Sequence, residues 1–235
     1  MPQERIKFTW YGRCCFLIEV NKTKILIDPH DGADTIDMGK VKADFTLISS
    51  TWHDHGHIGA SPHSIILSEA KNYKLPNNII VSGIETKENR GTPNIIYNIK
   101  WKKFSLTNFA DLGDFNYQKK VSNCKKKTLA STNIAFCRAG IVDGAKMSLM
   151  KLALKSCDPT ILIPHHYYPA SFANQQKGQL KKNMLKVVDN INFVTDQTGF
   201  PKEYIKGHSL NLSLDDMKDK RVLMIEKLHP QVKHT

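Results

Sequence analysis

The sequence predicts an α/β protein built from layered mixed sheets rather than from one doubly wound parallel sheet. Short strand-like runs fill much of the chain, and helical patterns are few and come late. Neither an internal repeat nor a Pro/Ser-rich linker divides the 235 residues, so a single domain over residues 1–235 is expected. A chain of this length buries a substantial core, and strand groups broken by occasional helices favour sheets packed in layers.

The elements follow in order. Arg5 to Tyr11 alternates in polarity; after Gly12 comes the run Cys15 to Val20, and the turn-like Asn21-Lys22 leads into Lys24 to Asp28. Phe45 to Ser49 is a further strand. Ile79 to Val81, Asn94 to Ile99, Phe104 to Thr107, Ile134 to Cys137 and Ile161 to Ile163 read the same way. A helix is predicted over Ala145 to Ser156, with Ala145, Leu149, Leu152 and Ala153 at helical spacing, Asp143 as N-cap and Asp158-Pro159 as the stop. A second amphipathic segment, Phe172 to Val188, carries Met184, Leu185 and Val188 on one side and is broken by Gly178.

Composition narrows the class. An apolar fraction of 40% with 24% charged residues is that of an ordinary soluble protein. No run is long enough for a membrane span, and the opening Met-Pro-Gln-Glu-Arg lacks the apolar stretch of a signal peptide, so a cytoplasmic protein with no membrane partner is expected. Cys14, Cys15, Cys124, Cys137 and Cys157 show no CxxC spacing and read as reduced thiols. The net charge of +12 includes Lys102-Lys103, Lys119-Lys120, Lys125 to Lys127 and Lys181-Lys182. Such a surface draws in small anionic substrates and admits nucleic acid as a partner, against the plainer reading of solvating charge. No aromatic residues of the kind that stack bases are interleaved with these runs.

The chemistry concentrates after Phe45 to Ile48. There the sequence reads Ser49-Ser50-Thr51-Trp52-His53-Asp54-His55-Gly56-His57. Histidine is the commonest metal ligand, and three at alternate positions around an Asp point to metal binding. Asp111, in Phe109-Ala110-Asp111-Leu112-Gly113, and His165-His166, after Ile161 to Pro164, follow other strand-like runs. Carboxylates and imidazoles at several strand ends are how a sheet scaffold assembles a metal site from distant sequence.

At these residues the chain resembles the metallo-β-lactamase fold superfamily, in particular its branch of small lactonase-like and uncharacterised metal-dependent hydrolases. Phe8 to Glu19 looks like that branch's first hairpin and Lys24 to Pro29 like the strand after it. Arg90 to Gly113 resembles its Arg-Gly-x-Asn-x-Tyr strand and Gly-Asp-Leu-Gly loop, with Ala110 in place of the first Gly. Ile163 to Tyr167 resembles its late Pro-x-His-Tyr motif. The resemblance implies a four-layer αββα sandwich. It also implies two metal ions bridged by an Asp, the first held mainly by the leading histidines of a His-x-His-x-Asp-His motif and a later loop His.

Carried over without gaps, the motif's two leading histidines fall on Ser50 and Trp52, its Asp-His on Asp54-His55, the bridging Asp on Asp111 and the late His on His166. The loop Thr86 to Asn89, where the remaining His is expected, has none. The ligands unique to one ion are therefore missing, and those of the other are present: Asp54, His55, Asp111 and His166. A competing register keeps His53 and His57 as ligands, at the cost of an insertion and a deletion in a tight loop. In the ungapped register both are neighbours of the site. His165 is then structural or supporting, His30 a loop residue near the site, His63 part of a helix after the cluster, and Lys87 a solvated loop lysine. Arg13 stands where relatives often have a His and either faces an anionic substrate or forms a surface salt bridge.

The expected function is a metal-dependent hydrolase-like protein. It would act on an ester, lactone or phosphate-bearing substrate through a water on one divalent ion, zinc first with iron or manganese as alternatives. Asp54 or a nearby His would handle the proton. The alternative is a catalytically inactive protein of the same fold that binds nucleic acid or an acidic partner.

Overall fold

The computed structural model describes residues 4–32, 36–88, 91–113, 128–139, 153–179, 181–182 and 191–234. The first six strands are β1 (Arg5–Gly12), β2 (Cys15–Val20), β3 (Thr23–Ile27), β4 (Ile36–Asp37), β5 (Phe45–Leu47) and β6 (Ile65–Leu67). The next six are β7 (Asn72–Leu75), β8 (Ile79–Lys87), β9 (Pro93–Trp101), β10 (Phe104–Asn108), β11 (Ile134–Arg138) and β12 (Ile161–His165). Helices α1 (Ala170–Ala173) and α2 (Ile191–Thr198) precede β13 (Lys202–Ile205), β14 (Ser209–Ser213), β15 (Arg221–Ile225) and β16 (Lys233–His234).

Two mixed sheets result. One runs in the order β14-β1-β2-β3-β5-β6, with antiparallel pairing from β14 to β3 and parallel pairing from β3 through β6. The other runs β13-β15-β12-β11-β10-β9-β8-β7, parallel from β13 to β10 and antiparallel from β10 to β7. The expectation of layered mixed sheets is met. The sheets pack face to face through aromatic side chains: the Phe136 ring stacks 4.2 Å from Phe16 and meets Phe8 edge-on at 5.5 Å. Trp10 from the first sheet stacks 4.6 Å from Tyr167, just beyond β12.

Because β1, β3 and β5 run the same way in the first sheet, their C-terminal ends share one edge of it. In the second sheet β8, β10, β11 and β12 do the same. Every residue singled out above as a candidate ligand follows one of these ends. Tyr97 on β9 pins the two edges together, its hydroxyl reaching the Ile48 and Leu67 carbonyls at 3.1 and 3.0 Å. The Ile95 amide adds a bond to the Ser49 carbonyl at 2.8 Å.

Several local expectations change. No α-helix follows the His cluster: one 3-10 turn, Ile58–Ala60, leads through a bend to β6, so His63 is not helical. Pairing of Ile65 to Leu67 with β5 draws this segment into the sheet edge. Of the helix expected over Ala145 to Ser156, residues 153–157 are helical and 143–152 lie outside the described residues. The segment expected as a helix from Phe172 begins in α1, turns out at 174–175 and is helical again at 178–179 and 181–182, with Gly178 at φ +58°; 180 and 183–190 lie outside the described residues. Among the described residues no helix is long and apolar enough to cross a membrane.

Candidate metal centre

The centre is assembled at those strand ends, several of which turn through left-handed backbone conformations. Gly12 closes β1 at φ +100°, where a Cβ would stand 2.6 Å from the Ile36 side chain, and the chain turns through Arg13 (φ +47°) and Cys14 into β2. Asp28 ends β3 at φ +47°, Ala110 follows β10 at φ +48° and His166 follows β12 at φ +59°. The left-handed region costs a non-glycine residue about 1–3 kcal/mol, which gives a physical reason for a glycine at the position Ala110 fills. The His166 amide is held by the Arg13 carbonyl at 3.1 Å, so the β1–β2 turn and the end of β12 fix one another.

Of the three clustered histidines, His55 faces inward and is 1% exposed. Its Nδ1 lies 3.2 Å from Ser49 Oγ and 3.4 Å from Asp28 Oδ2. Its Nε2 faces Asp111 Oδ2 at 3.6 Å and Asp54 Oδ1 at 3.8 Å. Asp111 Oδ1 in turn lies 3.2 Å from His166 Nε2. Asp54, His55, Asp111 and His166 are thus brought together. The alternates His53 and His57 are not: His53 turns outward to Asp31 at 3.3 Å, and His57 is exposed, its ring over Gly59. The tight turn Trp52 to Gly56, closed by amide bonds from His55 and Gly56 to the Trp52 carbonyl, lets one of the three point inward.

Around this group stand residues the sequence reading did not single out as part of the site. Asp28 is fully buried, accepting bonds from the Ser49 amide at 2.8 Å and the Asn108 side-chain amide at 3.0 Å while it flanks His55. Arg138, ending β11, donates to Asp111 Oδ2 at 2.9 Å. The Cys14 thiol donates to the Asp54 carbonyl at 3.0 Å and lies against the His55 ring, and its sulfur falls within 4.8 Å of ligand atoms of His55 and His166. Glu88 lies close enough to Ser50, the residue standing where a leading motif histidine is expected, for that side chain to favour its ionised form. Arg13 lies 3.4 Å from Asp54 Oδ2 and is buried rather than on the surface. Trp52 is 39% exposed, Lys87 is exposed, and His30 is buried with Nε2 at 3.1 Å from the Tyr11 carbonyl. His165 is fully buried behind His166, their ring centres 5.1 Å apart.

The electrostatics are those of tightly coupled opposite charges. Burial works against the His55 and His166 cations, but Cys14, Asp111 and, for His55, Asp28 outweigh it; His55 is raised well above its usual range and His166 to about 9. Burial likewise opposes the Asp111 carboxylate, yet His166 and His55 hold it well below its usual range. Asp54 is held low in the same way, whereas burial and the nearby Asp111 charge raise Glu88. Burial and the His166 charge keep His165 neutral.

Whether these residues suit a metal ion can be tested on two buried atoms. His166 Nε2 and Asp111 Oδ1 face each other at 3.2 Å, and neither makes a hydrogen bond. They are partnered as a buried ion pair, a contact that an ion held between imidazole and carboxylate would replace. Two groups have ligand atoms that all lie within 4.8 Å of one another, Cys14 with His55 and His166, and Asp111 with His165 and His166; Asp54 borders them through His55 Nε2 at 3.8 Å. Two imidazoles and two carboxylates, with a carboxylate behind one imidazole, fit a divalent ion.

Comparison with known proteins agrees with this architecture. A Thermotoga maritima protein of the metallo-β-lactamase superfamily superposes with a TM-score of 0.67 at 21% identity, covering 94% of this chain and 98% of that one. Igni18, a metallo hydrolase of Ignicoccus hospitalis, gives 0.59 at 13% identity over 89% and 99%. A UPF0173 protein of Pyrococcus furiosus is 42% identical over 67 residues, 28% of this chain and 30% of the relative, so the match spans under a third of that protein. The model of the β-lactamase superfamily domain matches residues 7–166. With that match over more than half of its length, this chain belongs to the β-lactamase superfamily and carries its layered mixed-sheet fold.

Proposed function

We propose that the chain is a metal-dependent hydrolase whose centre takes one divalent ion, held by Asp54, His55, Asp111 and His166. The observation that carries this is the buried ion pair of His166 Nε2 and Asp111 Oδ1, 3.2 Å apart and outside hydrogen-bond geometry, with His55 Nε2 turned toward the same carboxylate. Zinc suits the mixed nitrogen and oxygen donors, and iron or manganese would also be accepted. An ion there would supply Lewis acidity to a carbonyl or phosphoryl oxygen and lower the pKa of water.

The chain's own residues supply the rest. Asp28 orients His55 through Nδ1, leaving Nε2 for the ion. Asp54 keeps a carboxylate at the opening of the centre, its side chain 20% exposed, where it can hold and pass a proton. Arg13 and Arg138, the cations beside Asp54 and Asp111, favour a small anionic substrate such as a phosphate ester or a lactone or ester with an acid group. Cytoplasmic location and action on a small soluble substrate belong to this same reading.

The test is metal content after expression and after chelation and reloading, for wild type, Asp111→Ala and His166→Ala, with a screen of phosphodiester, ester and lactone substrates. About one equivalent in wild type, lost in both variants, is expected. Absence of any divalent metal, with unchanged content and stability in the variants, would sink the proposal. Metal without turnover would leave a binding protein of the same fold.

A further inference from the structure

We infer that His165 is a further ligand of the ion, a third imidazole beside His55 and His166. This rests on the metal centre proposed above and deepens it. His165 is fully buried at the end of β12, and neither of its ring nitrogens makes a hydrogen bond among the described residues. Each imidazole nitrogen is a donor or an acceptor, and buried polar groups are almost always bonded. An apolar side chain would fill the core here without leaving two such atoms unmatched.

The backbone brings this ring to the centre. Along a strand, successive side chains point to opposite faces, which would carry His165 away from His166. His166 instead adopts φ +59°, outside the strand region, and the two ring centres lie 5.1 Å apart. A ring nitrogen of His165, one of His166 and a carboxylate oxygen of Asp111 then all lie within 4.8 Å of one another. A histidine held in the left-handed region is a strained placement of the kind that gathers at functional sites.

The surrounding groups supply no other partner for the ring. Arg138 is paired in register with His165 across β11 and β12, yet its guanidinium donates to Asp111 Oδ2 at 2.9 Å and not to the imidazole. That bond fixes the carboxylate with Oδ1 toward His166 Nε2, 3.2 Å away. An ion held between those two atoms would stand beside a ring nitrogen that no described protein group occupies. Iron and manganese take more ligands than the four of a structural zinc site, so the added donor is accommodated.

The experiment loads wild type and His165→Phe with an NMR-active cadmium isotope and counts the histidine rings whose protons couple to the metal nucleus. Three coupled rings are expected in wild type and two in the variant. In parallel, Zn2+ affinity is measured by competition with a chromogenic chelator, and metal-free stability by urea unfolding. Loss of a ligand should weaken Zn2+ binding at least about 10-fold in the folded variant. A role in packing alone would lower metal-free stability and leave Zn2+ affinity within about twofold of wild type, which overturns the assignment. Should His165→Phe fail to fold, the wild-type spectrum decides. Fewer than three coupled rings there overturns the assignment while leaving the metal centre standing. Wild-type protein that takes up no ion overturns the metal centre and this assignment with it.

Discussion

Replacing Asp28 by Asn tests whether the carboxylate behind His55 serves the centre or merely fills the core. Asp28 accepts on both oxygens, from the Ser49 amide at 2.8 Å on Oδ1 and from Asn108 Nδ2 at 3.0 Å on Oδ2, with His55 Nδ1 3.4 Å from Oδ2. An asparagine has one oxygen. Kept toward Ser49, it turns its NH2 onto the Asn108 amide and onto His55 Nδ1, which must carry a proton when Nε2 binds metal. Turned the other way, it sets donor against donor at Ser49. Either placement leaves a buried donor unsatisfied, at a cost of about 1–3 kcal/mol to the metal-free fold. The lost support for His55 should weaken metal binding a further 10- to 100-fold, about 1.4–2.7 kcal/mol. The assays are urea unfolding with chelator present, unfolding with saturating Zn2+, and competition for Zn2+ against a chromogenic chelator. The stability deficit should be larger with metal than without. A folded Asp28→Asn protein with Zn2+ affinity within about twofold of wild type would refute the reasoning.

Two further outcomes are expected. In the metal-free protein His166 is raised from 6.5 to about 9, chiefly because Asp111 outweighs the effect of burial. The pair's contribution is therefore fully present below pH 6.5 and lost as pH rises through about 9, on the order of 3 kcal/mol. Urea unfolding of chelator-treated protein should show that loss, and saturating Zn2+ should reverse the slope because the metal needs neutral imidazole; a flat profile without metal contradicts the pairing. Phe136→Ala removes a fully buried ring stacked at 4.2 Å on Phe16 and should cost about 3–5 kcal/mol in denaturant unfolding. A loss below about 1.5 kcal/mol would mean that the sheets do not pack through it.

Strands with continuous apolar runs were legible from sequence because both faces are covered. β10 and β12, for example, are buried at every residue. β13, with its mostly exposed Lys-Glu-Tyr-Ile pattern, and the two-residue pair β4 and β16 carry no such signal, and pairing with a neighbour alone makes them strands. At the centre, Asp54, His55, Asp111 and His166 could be named because the chain resembles a family whose motifs carry ligands at those positions. Asp28 reads in sequence as the end of a strand, and Arg138 carries no local signal of its own. Their roles depend on contacts with Asn108, 80 positions away, and with Asp111, 27 positions away, which no local pattern encodes.

By itself the sequence determined that strand ends present carboxylates and imidazoles. Periodicity and residue type are local properties, and they survive in one dimension. The tertiary structure decided which of His53, His55 and His57 turns inward, since that depends on a turn closed onto the Trp52 carbonyl. It also decided that a guanidinium from a neighbouring strand bonds Asp111 Oδ2 at 2.9 Å. Both follow from distances across two packed sheets, where a charge a few ångströms away governs what a carboxylate can bind.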